Sequence, residues 1–311
     1  MPSRRTFLST TAAGASLAAF APGALARAAA QIVARAGAPP FRISLAQWSL
    51  HRTHFSGALP ALDFPGKAAT LGFAAVEYVN AFFLDKVKDF GWLGEVKRRC
   101  EGSGVRNLLI MCDGLGALGD ADEPARARAI ENHLPWLDAA KFLGCHSLRV
   151  NAQSSGSWEE QRGRTADGLR RLSEAGDQRG LNVIVENHGG LSSNGKWLAE
   201  VMRAASHPRC GTLPDFGNFD LGDGRWYDRY LGVEELMPFA KAVSAKSHDF
   251  DEQGEETRTD YRRMLKIVLA AGYRGHVGVE FEGGGVSEDE GIRLTKSLLE
   301  RVRDEIAAAG G

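Results

Sequence analysis

No C-x-x-C pair occurs in this sequence, and its four cysteines (Cys100, Cys112, Cys145 and Cys210) are widely spaced. That excludes a paired-cysteine redox or zinc motif. Cys112, Cys145 and Cys210 fall in or beside strand-like runs, where a thiol is usually a small buried hydrophobe, so no structural disulfide is expected. Charge excess is also missing: 38 Lys and Arg stand against 39 Asp and Glu, a net −1. A non-specific nucleic-acid binder is more often basic, and no nucleic-acid partner is expected. Past the N-terminal region no segment is long and apolar enough to span a membrane. No G-x-G-x-x-G follows the first strand-like run, LAQWSLHRTHFSG, which argues against a doubly wound dinucleotide fold. Nor is a Gly-rich phosphate cradle visible, which speaks against a phosphorylated substrate.

What is present begins with the run Ser3-Arg4-Arg5-Thr6-Phe7-Leu8, followed by an Ala-rich stretch through SLAAFAPGALA. Ala24-Leu25-Ala26 and Ala26-Arg27-Ala28 offer small-x-small cleavage sites. The pattern resembles a twin-arginine export signal. Residues 1–28 are therefore expected to be a signal peptide, 29–40 a tether and 41–308 the folded domain, located in the periplasm. No stable membrane association is expected after cleavage, and homo-oligomer formation is left open. Removing Arg4, Arg5 and Arg27 leaves 35 basic residues against 39 acidic, a net −4.

Strand-like runs begin near residues 42, 74, 107, 146, 182, 210, 242 and 276, at intervals of 28 to 39 residues. Segments of helical character lie between them, several ending in Gly (104, 144, 180, 272), where a left-handed cap is expected. Pro124 suits a helix start. With no two runs at hairpin spacing, eight β-α units predict an α/β fold, a single (β/α)8 TIM barrel. Functional groups of such barrels sit at the C-terminal strand ends.

Four consecutive runs end in an acid or an imidazole: Glu186 in NVIVENH, Asp215 in CGTLPDFGN, His248 in AVSAKSHDF and Glu280 in HVGVEFEG. As parallel neighbours they would converge at one rim. Three carboxylates and one imidazole suit one divalent metal ion: Mn, Mg, Co or Zn. Strand alternation puts Glu186 with His188, Ser244 with Lys246 and His248, and Glu280 with Glu282. Charges stacked inside a barrel need a reason, because such interiors are normally filled by branched apolar side chains.

The motifs VENHGG, PDFGN, KSHDFD and AGYRGHVGVEFEG, in that order, carry a resemblance to the sugar phosphate isomerase/epimerase group of xylose-isomerase-like TIM barrels, covering residues of about 42 to 305. The resemblance implies one divalent metal held by Glu186, Asp215, His248 and Glu280. It also implies proton transfer next to a carbonyl through an enediolate, with Glu186 and Glu280 as base and acid and Lys246 stabilising the oxyanion. Two positions depart from the pattern. Many members place the strand-7 histidine two residues before a Lys-Asp pair, where this sequence has Ser244. Where related epimerases often carry a histidine after the strand-6 Asp, this chain has Asn218, expected to orient substrate. His51, Glu77, Arg149, Asn151 and His188 lie at or near strand ends and are expected to line the pocket. Trp48, Trp197 and Trp226 are candidates for stacking on a sugar. The expected function is a metal-dependent isomerase or epimerase acting on a small carbohydrate. The alternatives are a 3-keto-glycoside lyase working by β-elimination at the same site, a non-catalytic sugar-binding protein, and a nuclease similar to endonuclease IV. Export, negative charge and too few histidines disfavour the last.

Overall fold

Alternation along the strands decides the architecture, because it sorts each run into two apolar clusters that face different ways. In the computed structural model, which describes residues 39–309, the barrel strands are β1 (Arg42–Ala46), β2 (Ala75–Val79), β3 (Arg106–Met111), β4 (Ser147–Val150), β5 (Asn182–Glu186), β6 (Cys210–Leu213), β7 (Val243–Ser247) and β8 (His276–Phe281). Leu45, Val76, Ile110, Leu148, Val183 and Val277 join the large cluster shared with the helices, including Leu93, Leu137 and Leu169. The residues of opposite parity, among them Ala46, Val79, Leu109, Met111 and Ile184, form a separate small cluster inside the barrel. Both sets are removed from water, which is the main favourable term in folding. The expected signal peptide, and all of the expected tether except residues 39 and 40, lie outside the described residues.

Among the described residues the eight strands form one parallel sheet in the order β6-β5-β4-β3-β2-β1-β8-β7. The remaining seam, between β6 and β7, closes through the isolated bridges Thr212–Ala240 and Asp215–Ser244. There the Ser244 amide donates to the Pro214 carbonyl at 2.9 Å, and the Phe216 amide donates to the Ser244 carbonyl at 3.1 Å. This is the (β/α)8 barrel the strand rhythm predicts, and its closing seam sets Asp215 beside Ser244.

Eight helices of the outer layer are α1 (Phe64–Thr70), α2 (Phe90–Ser103), α3 (Glu123–Leu143), α4 (Trp158–Asp177), α5 (Gly195–Ala205), α6 (Arg229–Leu236), α7 (Tyr261–Ala270) and α8 (Glu288–Ala309). Their starts are chemically marked. Asp122 accepts from the Ala125 amide, Asn194 from the Trp197 amide and Asp260 from the Arg263 amide, while Ser157 and Glu160 form a reciprocal capping box. Pro124 sits in the first turn of α3. Gly104 and Gly144 close α2 and α3 in the left-handed conformation, and Gly180 and Gly272 share it just past α4 and α7. The four cysteines are buried free thiols. No helix among the described residues is long and apolar enough to cross a membrane.

Candidate active site and metal centre

Three acids expected at the rim meet inside it. Glu186 ends β5, Glu280 is the fifth residue of β8, and Asp215 follows β6 by two residues at the closing seam. All three are buried, and one carboxylate oxygen from each lies within 4.8 Å of the others. Each is fixed differently. Glu186 accepts from Asn218 Nδ2 at 2.8 Å through one oxygen and from the Arg149 guanidinium through the other. Asp215 Oδ1 takes the amides of Gly217 and Asn218, both at 2.8 Å, and Asn187 clamps its backbone at 2.8 and 3.0 Å. Asp215 Oδ2 is buried and has no hydrogen-bond partner among the described residues. Glu280 accepts from Lys246 Nζ at 2.9 Å and from Ser244 Oγ at 3.2 Å.

Their protonation differs accordingly. Burial would raise the Glu186 carboxyl, but the Arg149 and Lys246 charges outweigh it and hold the group below the usual carboxylate range. For Glu280 burial wins over Lys246, helped by the charges of Glu186 and Asp215, and its pKa is pushed up to about 8. Asp215 is raised to about 6, chiefly by burial. Deeper in the barrel Glu77 is raised to about 7, again by burial. It accepts from Ser44 Oγ at 2.6 Å, and its other oxygen has no partner. The carboxylate lies over Gly278, where a Cβ would approach it to 2.7 Å, so only glycine leaves it room. Burial opposes the Lys246 charge, but Glu280 and Asp215 overcome it and keep the ammonium protonated.

The cage fits a divalent cation. Glu186, Asp215, Glu280 and the neighbouring Glu282 supply four carboxylates, while Arg149 and Lys246 supply two fixed positive charges. The unpartnered Asp215 Oδ2 offers a divalent ion a lone pair. An all-carboxylate donor set is hard, which favours Mg or Mn over Zn or Co.

The fourth expected ligand does not join. His248 lies one residue past the end of β7, its amide donating to Glu256 Oε1 at 3.2 Å. Its carbonyl packs under Gly283 so closely that no side chain fits there. With the backbone held at the rim, its imidazole faces Glu282, Nε2 to Oε2 3.9 Å, and stays out of the triad. Ser244 and Lys246 fill the inward positions of β7.

The expected lining residues divide in two. Arg149 and Asn218 hold Glu186, as above. Asn151 donates to Asp113 Oδ1 at 2.6 Å and leaves its own Oδ1 buried without a partner. Glu77 lies below the cage. His51 stacks on Trp48 with ring centroids 5.0 Å apart, and His188 is exposed beyond β5. Trp197 is fully buried in α5 and cannot stack on a ligand, whereas Trp226 is exposed in a two-stranded ribbon after β6. Asp113 was missed as a site residue, and Glu282 was placed on the face of Glu280 without a role. Asp113 pairs with Arg149 at 2.7 Å, and Glu282 accepts from Lys246 at 3.1 Å and from Trp48 Nε1. Asp113 follows the third strand in MCDG and Glu282 shares a face with Glu280, signals of the same kind that marked the other acids.

A family model described as xylose isomerase-like TIM barrel matches residues 65–303. The C-glycoside deglycosidase alpha subunit of Arthrobacter globiformis is 35% identical over 77 residues, which is 23% of this chain and only 22% of that protein's length. D-psicose 3-epimerase superposes with a TM-score of 0.66 at 11% identity, covering 85% of this chain and 99% of the other. For 3-keto-D-glucoside 4-epimerase from E. coli the values are 0.65, 15%, 84% and 99%. A barrel protein from Mycobacterium smegmatis in complex with magnesium gives 0.64 at 14% identity, covering 85% and 97%. At these identities the superpositions establish the fold.

Proposed function

This chain belongs to the xylose isomerase-like TIM barrel family, and from that premise we propose that it is a metal-dependent sugar isomerase or epimerase. The observation that carries the reading is one buried cage in which Glu186, Asp215 and Glu280 each bring a carboxylate oxygen within 4.8 Å of the others, Glu186 held by Arg149, which lowers its pKa, and Glu280 set among other carboxylates in a buried site, which raises its pKa. Paired groups whose environments push their pKa values apart mark an acid and a base. Glu186 takes the proton from the carbon next to the substrate carbonyl, and that C–H pair becomes the double bond of an enediolate. Glu280 returns a proton, to the neighbouring carbon for isomerisation, with the hydroxyl proton passing from the old hydroxyl oxygen to the old carbonyl oxygen, or to the opposite face of the same carbon for epimerisation. Glu186, Asp215 and Glu280 would hold the divalent ion, with Mg or Mn the best match. When bound, it supplies polarisation of the carbonyl and stabilisation of developing negative charge. Arg149 keeps Glu186 ionised, Lys246 adds a positive charge beside the developing oxyanion, and Asn151 Oδ1 accepts from a substrate hydroxyl.

A second reading is favoured by the deglycosidase relative. On a 3-keto-glycoside the same proton abstraction leads to β-elimination: the C–H pair forms the new C=C and the bond to the aglycone breaks with its electrons, making the chain a lyase. Incubation of ketoses and 3-keto-glycosides in deuterated water, followed by NMR, separates the two. Deuterium at the carbon next to the carbonyl with the carbon chain intact supports the first reading, and released aglycone the second. Product without label, where proton exchange with solvent is established, points to hydride transfer and overturns both. The N-terminal arginine pair adds the proposal that the enzyme is exported folded to the periplasm, checked by fractionating cells that express the R4K/R5K double variant. Normal export of that variant counts against it.

A further inference from the structure

Lys246 is a buried cation inside a cage that a divalent ion fits. Its stem packs against Gly217, where a Cβ would meet the Lys246 Cβ, Cγ and Cδ at 3.0 to 3.3 Å. Its side chain is only 3% exposed, so carboxylates rather than water hold the charge. β7 and β8 pair Lys246 directly with Glu280. The ammonium stands 2.9 Å from Glu280 Oε1 and 3.1 Å from Glu282 Oε1. These two carboxylates differ in depth. The Glu280 side chain is 5% exposed within the triad, whereas that of Glu282 is 29% exposed, one layer higher, and fixed by Trp48 Nε1. Lys246 therefore already bridges an inner and an outer partner, and a small rotation about its terminal bonds would leave it on the outer one alone.

A divalent ion bound by Glu280 would lie close to that ammonium, and like charges repel steeply at such separations in a site closed to water. Resting on the metal reading of the site, we infer that Lys246 is the resident counter-cation of the metal-free cage, and that metal binding displaces its ammonium from Glu280 onto Glu282. Lys246 then sets metal affinity by competition, and Glu282 sets it by receiving the displaced charge. The displaced ammonium comes to lie nearer the open end of the cage, where substrate enters.

The test is Mn2+ titration by calorimetry of chelator-stripped full-length protein, as wild type, Lys246→Met and Glu282→Gln. Lys246→Met should bind Mn2+ at least about tenfold more tightly than wild type, because the competing charge is gone. Glu282→Gln should bind about fivefold or more weakly, since the displaced ammonium loses its acceptor. The metal-free melting temperature of Lys246→Met should fall below that of wild type, and its rise with Mn2+ should exceed the wild-type rise. If Lys246→Met cannot be obtained metal-free, the Glu282→Gln titration decides by itself. Wild-type binding with Lys246→Met equal or weaker, or with Glu282→Gln unchanged, overturns the displacement and leaves the metal reading standing. Binding by Lys246→Met but not by wild type upholds Lys246 as counter-cation and overturns the metal reading. No binding by any of the three overturns both.

Discussion

On the β4–β6 side of the cage, Glu186 is gripped by the Arg149 guanidinium and by Asn218, with Asp113 and Asn151 behind Arg149. On the β7–β8 side, Glu280 meets one lysine that it shares with Glu282, plus a long hydrogen bond from Ser244. Burial is alike on the two sides, at 1% and 3% exposure, so it does not distinguish them. The difference lies in the cations: Glu186 has a delocalised charge fixed on it, while Glu280 faces a divided one and feels three neighbouring carboxylates, Glu186, Asp215 and Glu282. One residue type is thus shifted in opposite directions on the two sides by its neighbours, which is what the proposed base and acid roles require.

The strongest way to break this contrast is to make the acid side unable to transfer a proton. Glu280→Gln should lower turnover by on the order of 10²–10⁴, the range of a general acid or base. Calorimetry should still detect residual metal binding, so the loss can be assigned to proton transfer. Next, Lys246→Met should lower the rate by a factor on the order of 10²–10³ if the lysine stabilises the oxyanion, measured at saturating metal. Arg149→Met attacks the other side. Without the guanidinium the Glu186 carboxyl rises, so the acid limb of the pH–rate profile should move to higher pH. Stability should also fall by ~3–5 kcal/mol, the cost of removing one partner from a buried ion pair.

The two sides should also respond to pH with opposite sign in chelator-treated protein. Glu280, raised to about 8, binds a proton in the folded state that the unfolded state releases at its ordinary, lower pKa. Its stabilising contribution is full below the unfolded value and is lost as pH rises through about 8. Asp215, raised to about 6, and Glu77, raised to about 7, add to the same decline at lower pH. Glu186 runs the other way, its contribution present above the unfolded value and lost as pH falls through its depressed folded value. Melting curves from pH 5 to 9 should therefore show stability falling with pH, and Glu280→Gln should remove the part of the fall nearest pH 8. A wild-type curve flat across that range would sink the assignment of Glu280 as the protonated partner. The smallest effect is expected from His248→Ala, which should leave Mn2+ affinity within about twofold because the imidazole does not enter the triad. A loss of affinity comparable to that of Asp215→Asn would restore it as a ligand.

Much of the fold was legible because period and punctuation are local. The eight strand-like runs, the left-handed glycines at 104, 144, 180 and 272, and Pro124 at a helix start all lie where the sequence pattern predicts. Glu186, Asp215 and Glu280 were legible as a group for a related reason: in a parallel barrel, strand ends of like polarity must meet at one rim. His248 was not, because the register at which β7 ends depends on non-local contacts. Glu256 takes its amide and Gly283 closes over its carbonyl, and together they hold it one layer too high. Asp113 carried the same strand-end signal, but its partners Arg149 and Asn151 come from the next strand and its end, and only the fold brings them to it. Trp197 reads the same in sequence whether it lines a rim or fills a core, and only packing put it at zero exposure.

By itself the sequence determined the barrel and the three acids Glu186, Asp215 and Glu280 at its rim, because both follow from the spacing of apolar and polar residues along a chain whose strands must all bury one face. Tertiary structure alone decided which acid's pKa is lowered and which is raised, which cation belongs to which carboxylate, and that Ser244 and Lys246 take the inward places on β7 while His248 stays at the rim. Those outcomes depend on distances of about 3 Å between residues 34 to 37 positions apart. At that range burial and Coulomb interaction set a group's charge, and neither is encoded in the identity of the residue that bears it.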